Sequence, residues 1–121
     1  MRLFLETPDL RVASNMRNKT MLAKFGKSAK FYCNSNGYPT PSIQWFKVSI
    51  SLAIMLLNAI FNFFQNNASL TNSAKIQILD KNQTLMIDDV GPNDNGTYSC
   101  NVSNRFQQTT QFATLGAIGK T

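Results

Sequence analysis

Two widely separated cysteines constrain this chain more than any other feature, because of what stands around them. Trp45 follows Cys33 one strand and one turn later, and Cys100 closes the stretch "DNGTYSC", residues 94–100. The flanking text alternates with a period of two, the mark of half-buried strands. In "KSAKFYCNS", Ala29, Phe31 and Cys33 face one way and Lys30, Tyr32 and Asn34 the other. "NGYPTP" then reads as a turn, with Gly37 free to take positive φ and Pro39 and Pro41 lacking backbone donors. The same parity sets Ile43 and Trp45, Ile76 and Ile78, Leu85 and Ile87, and Tyr98, Cys100 and Val102 inward. The final strand, "QQTTQFATL", has two candidate inward sets, Phe112 with Thr114 or Ala113 with Leu115. Strands are expected from Lys27 onward, and no helical period stands out away from residues 48–65.

A Cys strand, a Trp strand and a Tyr two residues before a second Cys resemble an immunoglobulin-like sandwich. The expected fold is therefore all-β, an intermediate-set β-sandwich. The resemblance implies a disulfide from Cys33 to Cys100 between the sheets, Trp45 packed against it, and Tyr98 turning its hydroxyl back to the backbone as a tyrosine corner. Closing so long a loop stabilises by about 4 kcal/mol in the chain-entropy picture, and places the domain in an oxidising compartment. More narrowly, "MRNKTMLAKFGKSAKFYC", "GYPTPSIQWFK" and "KNQTLMIDDVGPNDNGTYSCNVSN" are similar to the second extracellular domain of fibroblast growth factor receptors. Gln107, in "NRFQ", stands where that family usually has Gly.

With 121 residues, 43% of them hydrophobic, the chain can build one core without metal or cofactor. There is no histidine and no CxxC pair, so the parts for zinc sites, Cys/His nucleophiles and His acid–base chemistry are missing and no enzyme is expected. Asp80, Asp88, Asp89 and Asp94 lack the spacing of a calcium loop and read as solvated turns, although Asp94 is also placed to pair with Lys75. Five N-x-S/T sequons, at Asn18, Asn67, Asn82, Asn95 and Asn101, agree with an extracellular location. The opening "MRLFLETPDL" has Glu6 and Asp9 where a secretion signal would need a longer apolar stretch, so the chain is expected to be a fragment of a longer protein.

The expected organisation is an N-terminal flank over 1–14, the domain over 15–115 and a C-terminal flank over 116–121. Residues 48–65, "VSISLAIMLLNAIFNFFQ", do not fit it. As a transmembrane helix the run is short and holds Asn58 and Asn62, and spanning would part Trp45 from Cys100. As a natural loop it would expose Phe61, Phe63 and Phe64. The third reading is a short retained intron translated in frame. Val48-Ser49 can be encoded by GTAAGT and Phe63-Phe64-Gln65 by TTTTTTCAG, and removing 48–65 joins "SIQWFK" to "NNASLTNSAKIQIL" through a short polar turn.

The net charge of +6 favours an acidic partner. From Arg17 to Lys30 there is no acidic residue, which reads either as a solvated strand edge or as an anion-binding strip. The resemblance implies the second, with Lys19, Lys24, Lys27 and Lys30 gripping heparan sulfate. Nucleic acid is not expected, for want of an aromatic stacking platform beside the lysines. The functional expectation is a cell-surface receptor domain that binds a growth factor and heparan sulfate, tethered to the membrane only through a parent's segment outside this chain. The alternative is a structural or adhesion domain of a modular matrix or muscle protein.

Overall fold

Alternation of apolar and polar residues becomes, among the described residues, nine strands in two sheets. The computed structural model describes residues 8–49 and 66–119. The strands are β1 (Asp9–Ser14), β2 (Lys19–Lys24), β3 (Ala29–Tyr38), β4 (Ser42–Ser49), β5 (Asn66–Ser69), β6 (Ile76–Leu79), β7 (Thr84–Ile87), β8 (Gly96–Ser103) and β9 (Gln108–Ile118). One sheet has the order β1-β3-β7-β6 and the other β2-β9-β8-β4-β5. All pairings are antiparallel except β2 with β9. The one helical element among the described residues is the 3-10 turn Pro92–Asp94, and no helix there is long and apolar enough to cross a membrane.

The core lies between the sheets. Phe31, Cys33, Leu85 and Ile87 come from one, and Trp45, Tyr98, Cys100, Val102, Ala113 and Leu115 from the other. Cys33 and Cys100 are bonded, with Cα atoms 6.7 Å apart, and Trp45 sits directly across the ladder from Cys100. The Trp45 indole N–H donates to the Asn82 carbonyl at 2.8 Å. Phe31 and Tyr98 stack across the two sheets with centroids 5.6 Å apart, and the Tyr98 hydroxyl donates to the Asp94 carbonyl at 2.7 Å. Met16 and Val90, absent from the alternating set, are also fully buried, Met16 with its sulfur 3.6 Å from that of Cys33.

Four points revise the sequence reading. First, strand structure begins before Lys27 and reaches past 115. β1 pairs with β3 from Asp9↔Tyr38 to Ser14↔Cys33, β2 pairs with β9, and Gly116–Ile118 continues β9. The polar ends of the edge strands β1 and β2 hide their period. Second, Gly37 is a strand residue and is not among those with positive φ. It is needed because β1 passes so close that a Cβ there would lie 2.4 Å from the Asp9 carbonyl oxygen. Third, Ala113 and Leu115 are the inward set of β9, since Ala113 faces Tyr98 and Leu115 faces Gly96 on β8, and Cα partners share a face. Fourth, Gln107 requires no glycine, because the Asn104 side chain accepts the Phe106 and Gln107 N–H groups at 2.9 Å each and shapes the turn itself.

The apolar run falls outside the described residues except for Val48 and Ser49, which extend β4 and face Asn67 and Asn66 of β5.

Candidate functional site

The lysine-rich segment changes sheets in its middle. β2 is the edge of the five-stranded sheet, and β3 belongs to the other. Gly26, at φ +85, makes the crossing in a conformation that side chains rarely adopt. Four backbone bonds hold the turn. The N–H of Lys27 donates to the Lys24 carbonyl, Gly26 to Val90, Val90 back to Lys27, and Phe25 to Ile118, at 2.8–3.0 Å. The backbone at Lys24 and Lys27 is thus fixed, and both residues line one open groove of about 530 Å³ with Phe25, Ile118 and Gly119.

The other two lysines lie elsewhere. Lys19 begins β2 and Lys24 ends it, a separation of about 16 Å along an extended strand. Lys30 is exposed on the outer face of the four-stranded sheet, where Asn15 stands in for a missing strand by accepting from the Tyr32 N–H at 3.0 Å and donating to the Lys30 carbonyl at 3.1 Å. The four lysines therefore form one close pair and two outliers.

Sequence reasoning passed over the apolar side of the groove. On β2, Thr20, Leu22 and Lys24 face outward, and Leu22 is 65% exposed, with Phe25 at 41% and Ile118 at 45%. Recognising β2 as a strand was the missing step, because its parity alone would have turned Leu22 toward solvent. The edge thus offers apolar surface flanked by cations.

Below the core, Asp94 is a buried structural carboxylate. Its Oδ2 pairs with Lys75 at 2.8 Å and accepts the Gly91 N–H at 2.8 Å. Burial, and then the nearby Asp94, push the Tyr98 hydroxyl well above its ordinary pKa. Burial lowers that of Lys47, whose ammonium lies 5.6 Å from the centre of the Tyr98 ring. Among the described residues no group of His, Cys, Asp and Glu could hold a metal ion.

The sequons differ in surroundings. Asn18 and Asn82 are exposed in turns at positive φ, and Asn67 lies in β5. Asn95 is exposed, yet its amide is committed at both ends: Nδ2 donates to the Pro92 carbonyl at 3.0 Å and Oδ1 accepts the Ala117 N–H at 2.7 Å. Asn101 is half-buried on β8.

Comparison with known proteins agrees with this architecture. The Immunoglobulin domain family model matches residues 12–104. The chain is 28% identical to human "Fibroblast growth factor receptor-like 1", over 81% of this chain and 16% of that protein. It is 28% identical to Xenopus laevis "Fibroblast growth factor receptor 1", over 75% and 9%, and 32% identical to the mouse "Basement membrane-specific heparan sulfate proteoglycan core protein", over 74% and 2%. It therefore spans only a small part of each of these relatives. Among solved structures it resembles titin M4, with a TM-score of 0.68, 22% identity and coverage of 95% of this chain and 100% of that one. The four N-terminal domains of Dscam1 isoform 4.44 align at 0.72 and 15%, over 96% of this chain and 27% of that one. A disulfide-tied pair of sheets, a tyrosine corner and a match spanning most of the chain make this protein a member of the immunoglobulin-domain family.

Proposed function

We propose that this is an extracellular binding module of a cell-surface growth factor receptor, which meets a growth factor and heparan sulfate along the β2–β9 edge. The observation that supports this most is the pairing of Lys24 and Lys27 in one groove beside exposed Phe25 and Ile118, on a turn fixed by backbone bonds. An apolar centre rimmed by cations suits a protein partner, and the lysines suit the sulfates of a polysaccharide that both proteins share. The test is elution from immobilised heparin. Retention should fall when Lys24 and Lys27 are both replaced by Ala while the melting temperature stays put; unchanged retention leaves a solvated edge and overturns the reading. The 32% identity to a proteoglycan core protein favours the second reading, a structural domain of a modular matrix protein, which predicts no heparin retention.

The module is further proposed to work without residues 48–65. In the β4–β5 ladder Lys47 faces Ala68. Removing 48–65 leaves Asn66 and Asn67 alone between that pair, a two-residue hairpin connection, and Asn tolerates the positive φ such turns require. The ladder beyond the join, Phe46↔Ser69 and the Leu70 N–H donating to Trp45 at 2.8 Å, would be unaltered. The shortened chain should keep the parent's melting temperature and stay monomeric where the parent associates. A shortened chain that fails to fold, or a parent that is equally monomeric, would contradict this.

A further inference from the structure

The outer face of the five-stranded sheet is chemically unlike the rest of the molecule. In a chain of 12 basic and 6 acidic residues, its three inner strands β4, β8 and β9 direct no charged side chain outward, and among the described residues the one cation on the strands of this face is Lys24 on the edge strand β2. At its middle, Phe46, Ser99 and Phe112 form one rung across β4, β8 and β9. Ser99 points outward yet is only 4% exposed, lying between two phenylalanines, while Phe112 remains 42% exposed. This aromatic centre lies away from the apolar edge of Leu22 and Ile118, among hydroxyl and amide side chains, and calls for a cover of its own.

The next rung is Gln44, Asn101 and Thr110, and Asn101 opens the sequon Asn101-Val102-Ser103. Its Oδ1 is buried and without a hydrogen-bond partner, and Nδ2 is the other end of the same amide. Phe112 is its diagonal neighbour, about 7–8 Å away in sheet geometry and within reach of the first sugars. We propose that Asn101 is N-glycosylated and that its glycan lies over Phe112 and Phe46 as the cover of this face. In the transfer, Nδ2 displaces the pyrophosphate from the anomeric carbon of a lipid-linked oligosaccharide: one N–C bond forms, one C–O bond breaks and the nitrogen gives up one proton. Oδ1 is not altered, so its buried position is compatible with the product. Asn95 is the counter-case, because its Nδ2 and Oδ1 are both engaged, tying the Pro92 turn to β9, and a glycan there would have to be accommodated within that turn.

This inference rests on the extracellular reading above. The full chain is expressed in glycosylating eukaryotic cells, and occupancy is read by glycopeptide mass spectrometry on retained and secreted protein together. Asn101→Gln and Ser103→Ala, which abolish the sequon through different residues, are compared with the parent for binding of anilinonaphthalene sulfonate and for self-association. Asn101 should be occupied and Asn95 empty. Both variants should bind severalfold more dye than the parent and associate more strongly than it does, and adding Phe112→Thr should return both readouts to the parent's level. Residues 48–65 are common to all samples, so each readout is taken as the difference from the parent. An empty Asn101 overturns the proposal. An occupied Asn101 whose removal changes neither readout overturns the covering role. Heparin elution of the same samples reports the Lys24–Lys27 edge separately, so failure of one reading is distinguishable from failure of the other.

Discussion

The two outer faces of the sandwich are made by the same pleat, yet only one has charged side chains on its inner strands. On the four-stranded sheet Arg11 pairs with Asp9 at 2.9 Å and Lys30 stands free of the core, all on its outward parity. On the five-stranded sheet the inner strands present mainly hydroxyls and amides, with Phe46 and Phe112 at the centre and Ile118 at one end. Inward residues answer to the fold, because each must fill space against the opposite sheet. Outward residues answer to whatever each face meets. The contrast is what the proposed cover of the five-stranded face would explain, and the proposed basic site lies where the chain passes from sheet to sheet.

The largest expected effect breaks both faces at once. Replacing Cys33 and Cys100 by Ala removes the one covalent tie between the sheets, and should cost about 2–5 kcal/mol with a single cooperative transition at lower temperature. If the variant melts with the parent, the sheets do not depend on that tie.

A smaller effect separates the core from the base of the sandwich. Tyr98→Phe keeps the ring against Phe31 but loses the bond to the Asp94 carbonyl, worth about 1 kcal/mol. The variant should also differ at alkaline pH. The raised pKa of Tyr98 means that the folded state keeps a proton which the unfolded chain releases near pH ~10, so its contribution is intact below that value and lost as pH climbs above it. Lys47, with its pKa lowered by burial, acts in the opposite direction as pH approaches its ordinary range, so the readout is the difference between parent and variant. A melting profile of equal alkaline slope in both would contradict the assignment.

Much of this was legible in the sequence. Cys33, Trp45, Tyr98 and Cys100 announce the core because an inward parity and a fixed set of partners leave them little choice. The Lys75–Asp94 pair was visible in the same way. What escaped detection sits at edges. β1 and β2 each pair on one side only, so half their backbone faces solvent or loop and their polar residues blur the alternation. Gly37 was misread because a close strand approach and a turn demand the same residue. The division of the lysines was hidden for a third reason, since the linear segment Arg17–Lys30 conceals a change of sheet at Gly26.

That division supplies the most direct test of the account. Lys24→Ala with Lys27→Ala, and separately Lys19→Ala with Lys30→Ala, remove two charges each, and surface changes of this kind shift stability by within about 0.5 kcal/mol. Net charge falls equally, so a difference in heparin elution between the two double variants measures placement rather than charge. The groove reading predicts that the Lys24/Lys27 variant elutes at clearly lower salt, with the Lys19/Lys30 variant near the parent. Equal displacement of the two would mean diffuse attraction by net charge, and would contradict a site at the β2–β9 edge.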